Sequence, residues 1–287
     1  MEIEVKGHSG CQIDIVRDGN QLFVEKSTRD FSYLSRLVKQ AEKQRKASVQ
    51  EYQHIRVPQI YHIEKKPDLV SIKMEYVYSK NFIEYFESAG FEQISYFIKA
   101  LILFIEKELE SSFLQPVKAS VLQDKFEDVN KKVLANSLLN QDIEVLGLLG
   151  QSAKIFNDLK EMILPVGTCH GDLTFSNMLF NGNNYYLIDF LDSFVESPLM
   201  DVVKLRQDSA FLWSQLMYIH HYDKLRLIIV CKKIDQEIDA YFSKQDWYKQ
   251  NYTIFQLMNF LRILQYAKEE AVIVYLKKII KQLCHEF

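Results

Sequence analysis

His170, Asp172 and Asn177 stand in the segment Cys169-His170-Gly171-Asp172-Leu173-Thr174-Phe175-Ser176-Asn177, which fits the pattern H-x-D-x-x-x-x-N. Asp189 follows Asn177 by twelve residues, inside the apolar run Leu187-Ile188-Asp189-Phe190. These residue types at this spacing suit phosphoryl transfer, a reaction that asks little covalent chemistry of a protein. It needs one carboxylate to orient and deprotonate an attacking hydroxyl, and oxygen ligands to hold Mg2+ against nucleotide phosphates. Asp172, Asn177 and Asp189 supply such groups. An ionised Asp amid an apolar, strand-like run is costly to bury alone, and a bound cation is the compensation expected at Asp189. His170 is expected to hold the loop by hydrogen bonds rather than to move protons.

The stretch from His170 to Asp201 resembles the aminoglycoside phosphotransferase and choline kinase superfamily, whose members share HGD, four residues, N, and then IDF or IDW, here Ile188-Asp189-Phe190. The resemblance implies an α+β, bilobal protein-kinase-like fold, with a small antiparallel-sheet N-lobe and a large helical C-lobe. It also implies ATP-dependent phosphorylation of a small-molecule hydroxyl, with GTP as the alternative donor. It assigns Asp172 as catalytic base and Asn177 and Asp189 as Mg2+ ligands. Asp192 is left between metal and acceptor. Asp201 is expected to open a helix, where a carboxylate favours the N-terminal dipole.

The elements that must position these groups follow from periodicity. Cys11 to Arg17 and Gln21 to Lys26 alternate as strands around the hairpin signal Asp18-Gly19-Asn20. Asp30 is placed to cap a helix from Phe31 to about Val49, and Gln59 to Ile63 and Leu69 to Val77 read as two further strands. Val24 and Lys26 share a strand face, one suited to adenine and the other to phosphate, which is where kinases keep their phosphate-binding lysine. Glu42 is the expected partner of Lys26, with Glu51 as second choice. Gly7, Ser9 and Gly10 lie in a loop whose backbone N–H groups would cover phosphates. Met74-Glu75-Tyr76-Val77 resembles the hinge that holds adenine, through Met74, Glu75 and Val77. Residues 1–77 are thus expected to form the nucleotide-binding lobe, and 78–287 a helical lobe with the catalytic loop and acceptor site. Amphipathic helices are predicted from Phe91 to about Leu164 and again from Leu199 to Leu283. Between them, Asn177 to Phe180 and Tyr185 to Phe190 form two short strands.

Charge and composition narrow the partners. The 35 basic and 38 acidic residues leave a net charge of -3, so no global field favours nucleic acid or an anionic membrane. Apolar runs fall short of a membrane span, and a cytoplasmic location is expected. The four cysteines are far apart and read as reduced thiols. Residues 210–287 hold eleven Lys and Arg against eight Asp and Glu, a balance that disfavours a polycationic acceptor such as an aminoglycoside. Trp213, Tyr218, Trp247, Tyr252 and Tyr266 could build an aromatic cage for choline, but their helical spacing assigns them to the core. The expected acceptor is a sugar, an amino alcohol or a related metabolite. Two alternatives stand beside it: a catalytically silent nucleotide-binding kinase-like module, and an aminoglycoside-modifying phosphotransferase.

Overall fold

The structure, a computed structural model, describes residues 11–287 of the chain. The expected phosphate loop with Gly7, Ser9 and Gly10 lies outside the described residues. Along the chain the elements are β1 (Gln12–Asp18), β2 (Gln21–Thr28), α1 (Phe31–Ser48), β3 (Ile55–Arg56), β4 (Ile60–Lys66), β5 (Leu69–Glu75), α2 (Phe82–Ser88) and α3 (Phe91–Glu110). There follow β6 (Phe113–Val117), α4 (Ser120–Ala135), α5 (Ile143–Asn157), β7 (Met162–Val166), β8 (Met178–Asn181) and β9 (Asn184–Leu187). The last four are α6 (Pro198–Ser209), α7 (Lys224–Phe242), α8 (Asp246–Leu264) and α9 (Glu270–Cys284). Contacts divide the described residues into two units, one of residues 11–107 with 170–192, the other of 108–169 with 193–287. The boundary expected after residue 77 follows the order of the sequence. By packing, the first unit also takes in α2, most of α3 and the segment 170–192.

In the first unit an antiparallel sheet runs in the order β1-β2-β5-β4. Gly19 turns the β1–β2 hairpin at φ +59, the left-handed region that the hairpin signal requires. The side chain of Asp30 accepts from the Ser32 N–H at 2.9 Å and starts α1 where the sequence places it. Leu37 and Ala41 of α1 then pack on Val70, Ile72 and Met74 of β5, with Val24 alongside. A second sheet, β3-β9-β8, pairs β3 parallel to β9. Behind it the rings of Tyr85, Phe86 and Phe97, from α2 and α3, meet Phe175, Phe180 and Tyr185, with Tyr85 stacked on Phe180 at 4.3 Å. Such pairs add about 1 kcal/mol each beyond the area they bury, so the segment around Asp172 is pinned from one side by an aromatic core.

The second unit is mainly helical. Arg206 of α6 joins α7 and α8: its guanidinium forks onto Asp235, donates to Asp239 and to the Tyr248 hydroxyl, and lies 4.5 Å over the Tyr252 ring. Among the described residues no helix is long and apolar enough to cross a membrane.

Three local expectations differ from what is found. The region predicted wholly helical from Phe91 to about Leu164 contains β6 and β7, paired antiparallel with Pro116 opposite Ile163 and Leu114 opposite Pro165. Proline lacks the amide for a central ladder, and a two-stranded sheet is all edge, so it is accommodated there. The last strand of the first sheet stops at Glu75, leaving Tyr76 and Val77 outside it. The run from Tyr185 to Phe190 leaves the strand at Leu187, because Asp189 adopts φ +60.

Candidate active site

The loop from Cys169 to Asn177 is shaped by His170. The Asp172 N–H donates to its Nδ1 at 3.2 Å, which makes that nitrogen the acceptor and puts the ring proton on Nε2, donated to the Ile188 carbonyl at 2.9 Å. The ring also lies 4.2 Å from that of Phe190. His170 is buried and ties the loop to the end of β9, as its expected structural role requires. Gly171 follows at φ +87, and a Cβ built there would lie 2.1 Å from the Leu191 carbonyl oxygen, so only glycine lets the two segments approach.

Asp172 and Asn177 come together across one turn. Asn177 Nδ2 donates to both the backbone carbonyl and Oδ2 of Asp172, each at 2.8 Å, and the intervening Phe175–Asn177 is a 3-10 turn. This pair orients the Asp172 carboxylate and commits the amide nitrogen, so that Oδ1 is the Asn177 atom that could take a cation. The Ile188 N–H donates to the Asn177 carbonyl at 3.1 Å, so the β8–β9 hairpin carries Asp189 back beside Asn177.

Asp189 is met from the other side. Lys26 of β2, 163 residues earlier, donates to its Oδ1 at 2.8 Å, with Lys26 only 5% exposed and the Asp189 side chain 36%. Burial lowers the Lys26 ammonium and the Asp189 carboxylate raises it; the carboxylate prevails, so Lys26 stays charged beyond the ordinary lysine value. Val24 lies on the same face, its Cα partnered with Met74. Met74 is buried and Glu75 half-buried, the latter bonded to Gln59 through both its N–H and its side chain. Val77 is half-buried in the segment after β5. A cleft of about 440 Å³ in this unit is lined by Glu75, Tyr52, Arg56, Tyr61 and Tyr186 among others, and by none of Lys26, Asp172, Asn177 or Asp189.

Glu42 is not brought to Lys26. It is exposed and pairs with Lys65 of β4 at 3.3 Å. The helix buries Leu37, Gln40, Ala41, Gln44 and Ala47, and Glu42 projects from nearly the opposite side of that stripe. Glu51, the second choice, lines the cleft just described. The face of α1 toward the segment 189–192 instead presents cations: Lys43 donates to the Leu191 carbonyl at 2.6 Å, and Arg36 meets Asp192 at 3.3 Å. These contacts had no sequence signal beyond the seven-residue spacing of two basic residues. Asp201 is buried in the first turn of α6, but the cap is the Ser197 hydroxyl, which accepts from the Leu199 N–H.

In the second unit the five aromatic residues considered for a cage do not assemble one. Trp213 packs on Tyr275, Trp247 on Phe242 and Tyr248, and Tyr218 on His220 and Tyr222; Arg206 covers the Tyr252 ring, and Tyr266, expected in the core, is exposed just after the end of α8.

Residues 123–226, which include Asp172, Asn177 and Asp189, match the model of the phosphotransferase enzyme family. No curated protein matches the chain. Among solved structures, it is similar to a thermostable mutant of aminoglycoside phosphotransferase APH(4)-Ia in its apo form, at 10% identity and a TM-score of 0.59 over 98% of this chain and 93% of that one. It is also similar to amicoumacin kinase hAmiN in complex with AMP-PNP, Ca2+ and Ami, at 13% identity and 0.58 over 96% and 88%. A choline/ethanolamine kinase family protein from Mesorhizobium loti gives 15% and 0.56 over 96% and 88%. The fold is therefore the α+β protein-kinase-like fold.

Proposed function

We propose that this chain is a cytoplasmic, ATP-dependent small-molecule kinase that transfers the γ-phosphoryl group to a hydroxyl of a sugar, an amino alcohol or a related metabolite. The observation that carries the reading is the convergence of Lys26, Asp189, Asn177 and Asp172 through two 2.8 Å contacts, Lys26 to Asp189 and Asn177 to Asp172 Oδ2. In this reading residues 1–77 bind the nucleotide, with Val24, Met74, Glu75 and Val77 around adenine and Lys26 on the phosphates. The helical part holds the acceptor.

Asp172 takes the acceptor hydroxyl proton on its carboxylate as the oxygen attacks the γ-phosphorus; the bond from γ-phosphorus to the bridging oxygen breaks and the nucleoside diphosphate leaves. Asn177 Oδ1 and Asp189 form an oxygen donor pair of the kind Mg2+ takes when phosphates complete its shell. The ion, when bound, neutralises charge developing on the phosphates. Asp189 is paired with Lys26 here; when nucleotide arrives, that ammonium is free to turn to the phosphates. The complex of amicoumacin kinase hAmiN with AMP-PNP and Ca2+ supports a nucleotide and a divalent cation in this fold. The basic surplus of residues 210–287, and Arg206 on the Tyr252 ring, favour a neutral or anionic acceptor over a polycation or a quaternary amine.

The test is phosphoryl transfer from Mg-ATP across a panel of sugars, amino alcohols and aminoglycosides, with Asp172→Asn as control. Transfer to one class that falls by a factor of about 10³ or more in the variant is expected. Nucleotide binding with no transfer to any acceptor would favour the silent module, and transfer to aminoglycosides alone would favour the resistance-type enzyme.

A further inference from the structure

We propose that Lys43 is a positioning residue that fastens the segment 189–192 to helix α1. Three cations grip this short segment. Lys26 holds the Asp189 carboxylate at 2.8 Å, Lys43 the Leu191 carbonyl at 2.6 Å, and Arg36 the Asp192 carboxylate at 3.3 Å. Arg36 and Lys43 are seven residues apart and so share one face of α1. The three contacts are unequal. Arg36 and Asp192 are both about half exposed, where an ion pair contributes little. Lys26 holds Oδ1 of the Asp189 carboxylate, a group that a cation would also take. Lys43 alone of the three bonds to backbone, through a charge-assisted hydrogen bond that does not compete for the Asp189 carboxylate.

The Lys43 ammonium also lies 3.4 Å from where a Gly171 Cβ would stand. It therefore spans the crossing of the two segments that carry Asp172 and Asp189, a crossing closed on its other side by the Leu191 N–H bonded to the His170 carbonyl at 2.9 Å. A segment held this way keeps Asp189 at its φ of +60 when Lys26 moves to phosphate. The metal part of this inference rests on the kinase reading; the positioning part does not.

Two measurements on Lys43→Met and Lys43→Arg separate these parts. Hydrogen exchange of the free protein should be about tenfold or more faster at residues 189–192 in Lys43→Met, with β5 unchanged and Lys43→Arg near the unaltered protein. Calorimetric titration of ADP should show Lys43→Met weakening binding about tenfold in the presence of Mg2+ and less than about twofold in its absence, with Lys43→Arg restoring most of the loss. Unchanged exchange at 189–192 overturns the proposal. Equal weakening with and without Mg2+ also overturns it, since Lys43 would then serve the nucleotide itself. Faster exchange in a protein that binds no nucleotide upholds the Lys43 clamp and overturns the kinase reading instead.

Discussion

At the scale of single residues, two positions combine necessity with a clear readout. Gly171 is fixed by its φ of +87 and by the Leu191 carbonyl, so Gly171→Ala must either strain the backbone or part the two segments. A loss of roughly 1–3 kcal/mol in urea unfolding is expected, together with a fall in transfer rate of about tenfold or more. Lys26 carries a pH signature. Its pKa in the folded protein lies above the ordinary 10.5, since the neighbouring carboxylate outweighs burial. A raised pKa means that the stability from this pair is fully present below 10.5 and is lost as pH rises through the folded value. The stability difference between the unaltered protein and Lys26→Met should therefore be constant from neutral pH to about 9 and shrink only above the ordinary lysine value, as unfolding curves across that range will show.

At the scale of elements, α6 and α5 depend on particular anchors. Arg206→Ala strands Asp235, and with it the junction of α6, α7 and α8. We expect a loss of about 3 kcal/mol, the low end for breaking a buried pair because Asp239 is half exposed; the drop in chemical denaturation midpoint measures it. Lysine will not restore the fork. Asp142 caps α5 through the Glu144 and Val145 N–H groups and also meets Lys277. The Val145 N–H first and Lys277 second hold its carboxyl below the ordinary 3.8. The stability it contributes, about 1 kcal/mol, is thus present above 3.8 and lost as pH falls through the lower folded value. Asp142→Ala should be destabilised at neutral pH and indistinguishable in strong acid. The same scale shows what the sequence made legible. The Asp18-Gly19-Asn20 turn, the Asp30 cap and the chain from His170 to Asp189 are written in local residue chemistry and were readable. The rotation of α1 about its axis was not: whether Glu42 or Lys43 faces the segment 189–192 depends on how Leu37, Ala41 and Gln44 seat on the sheet, which is decided by packing among distant residues. Nor was the β6–β7 pair, since Pro116 and Pro165 argue locally against strands and only their mutual pairing forms them.

For the molecule as a whole, the thiols give a simple check. Cys11, Cys169 and Cys231 are buried, and Cys284 is partly exposed with its thiol raised by burial. A raised thiol holds little thiolate at neutral pH. An aromatic disulfide reagent should modify at most one thiol of the native protein, and all four after unfolding, while the thermal midpoint stays the same with or without reductant. Modification of two or more native thiols would contradict the packing described.

The first packing unit is broken in the chain, and this bears on the order in which the protein is made. Residues up to 107 leave the ribosome with β3 lacking its β9 neighbour and with Tyr85, Phe86 and Phe97 lacking Phe175, Phe180 and Tyr185. The segment that completes them ends about 85 residues later. At about 5–20 residues per second, the nascent α2 and α3 hold an uncovered aromatic face for several seconds. The segment that carries Asp172 and Asp189 is thus also the piece that closes the core of the unit made before it.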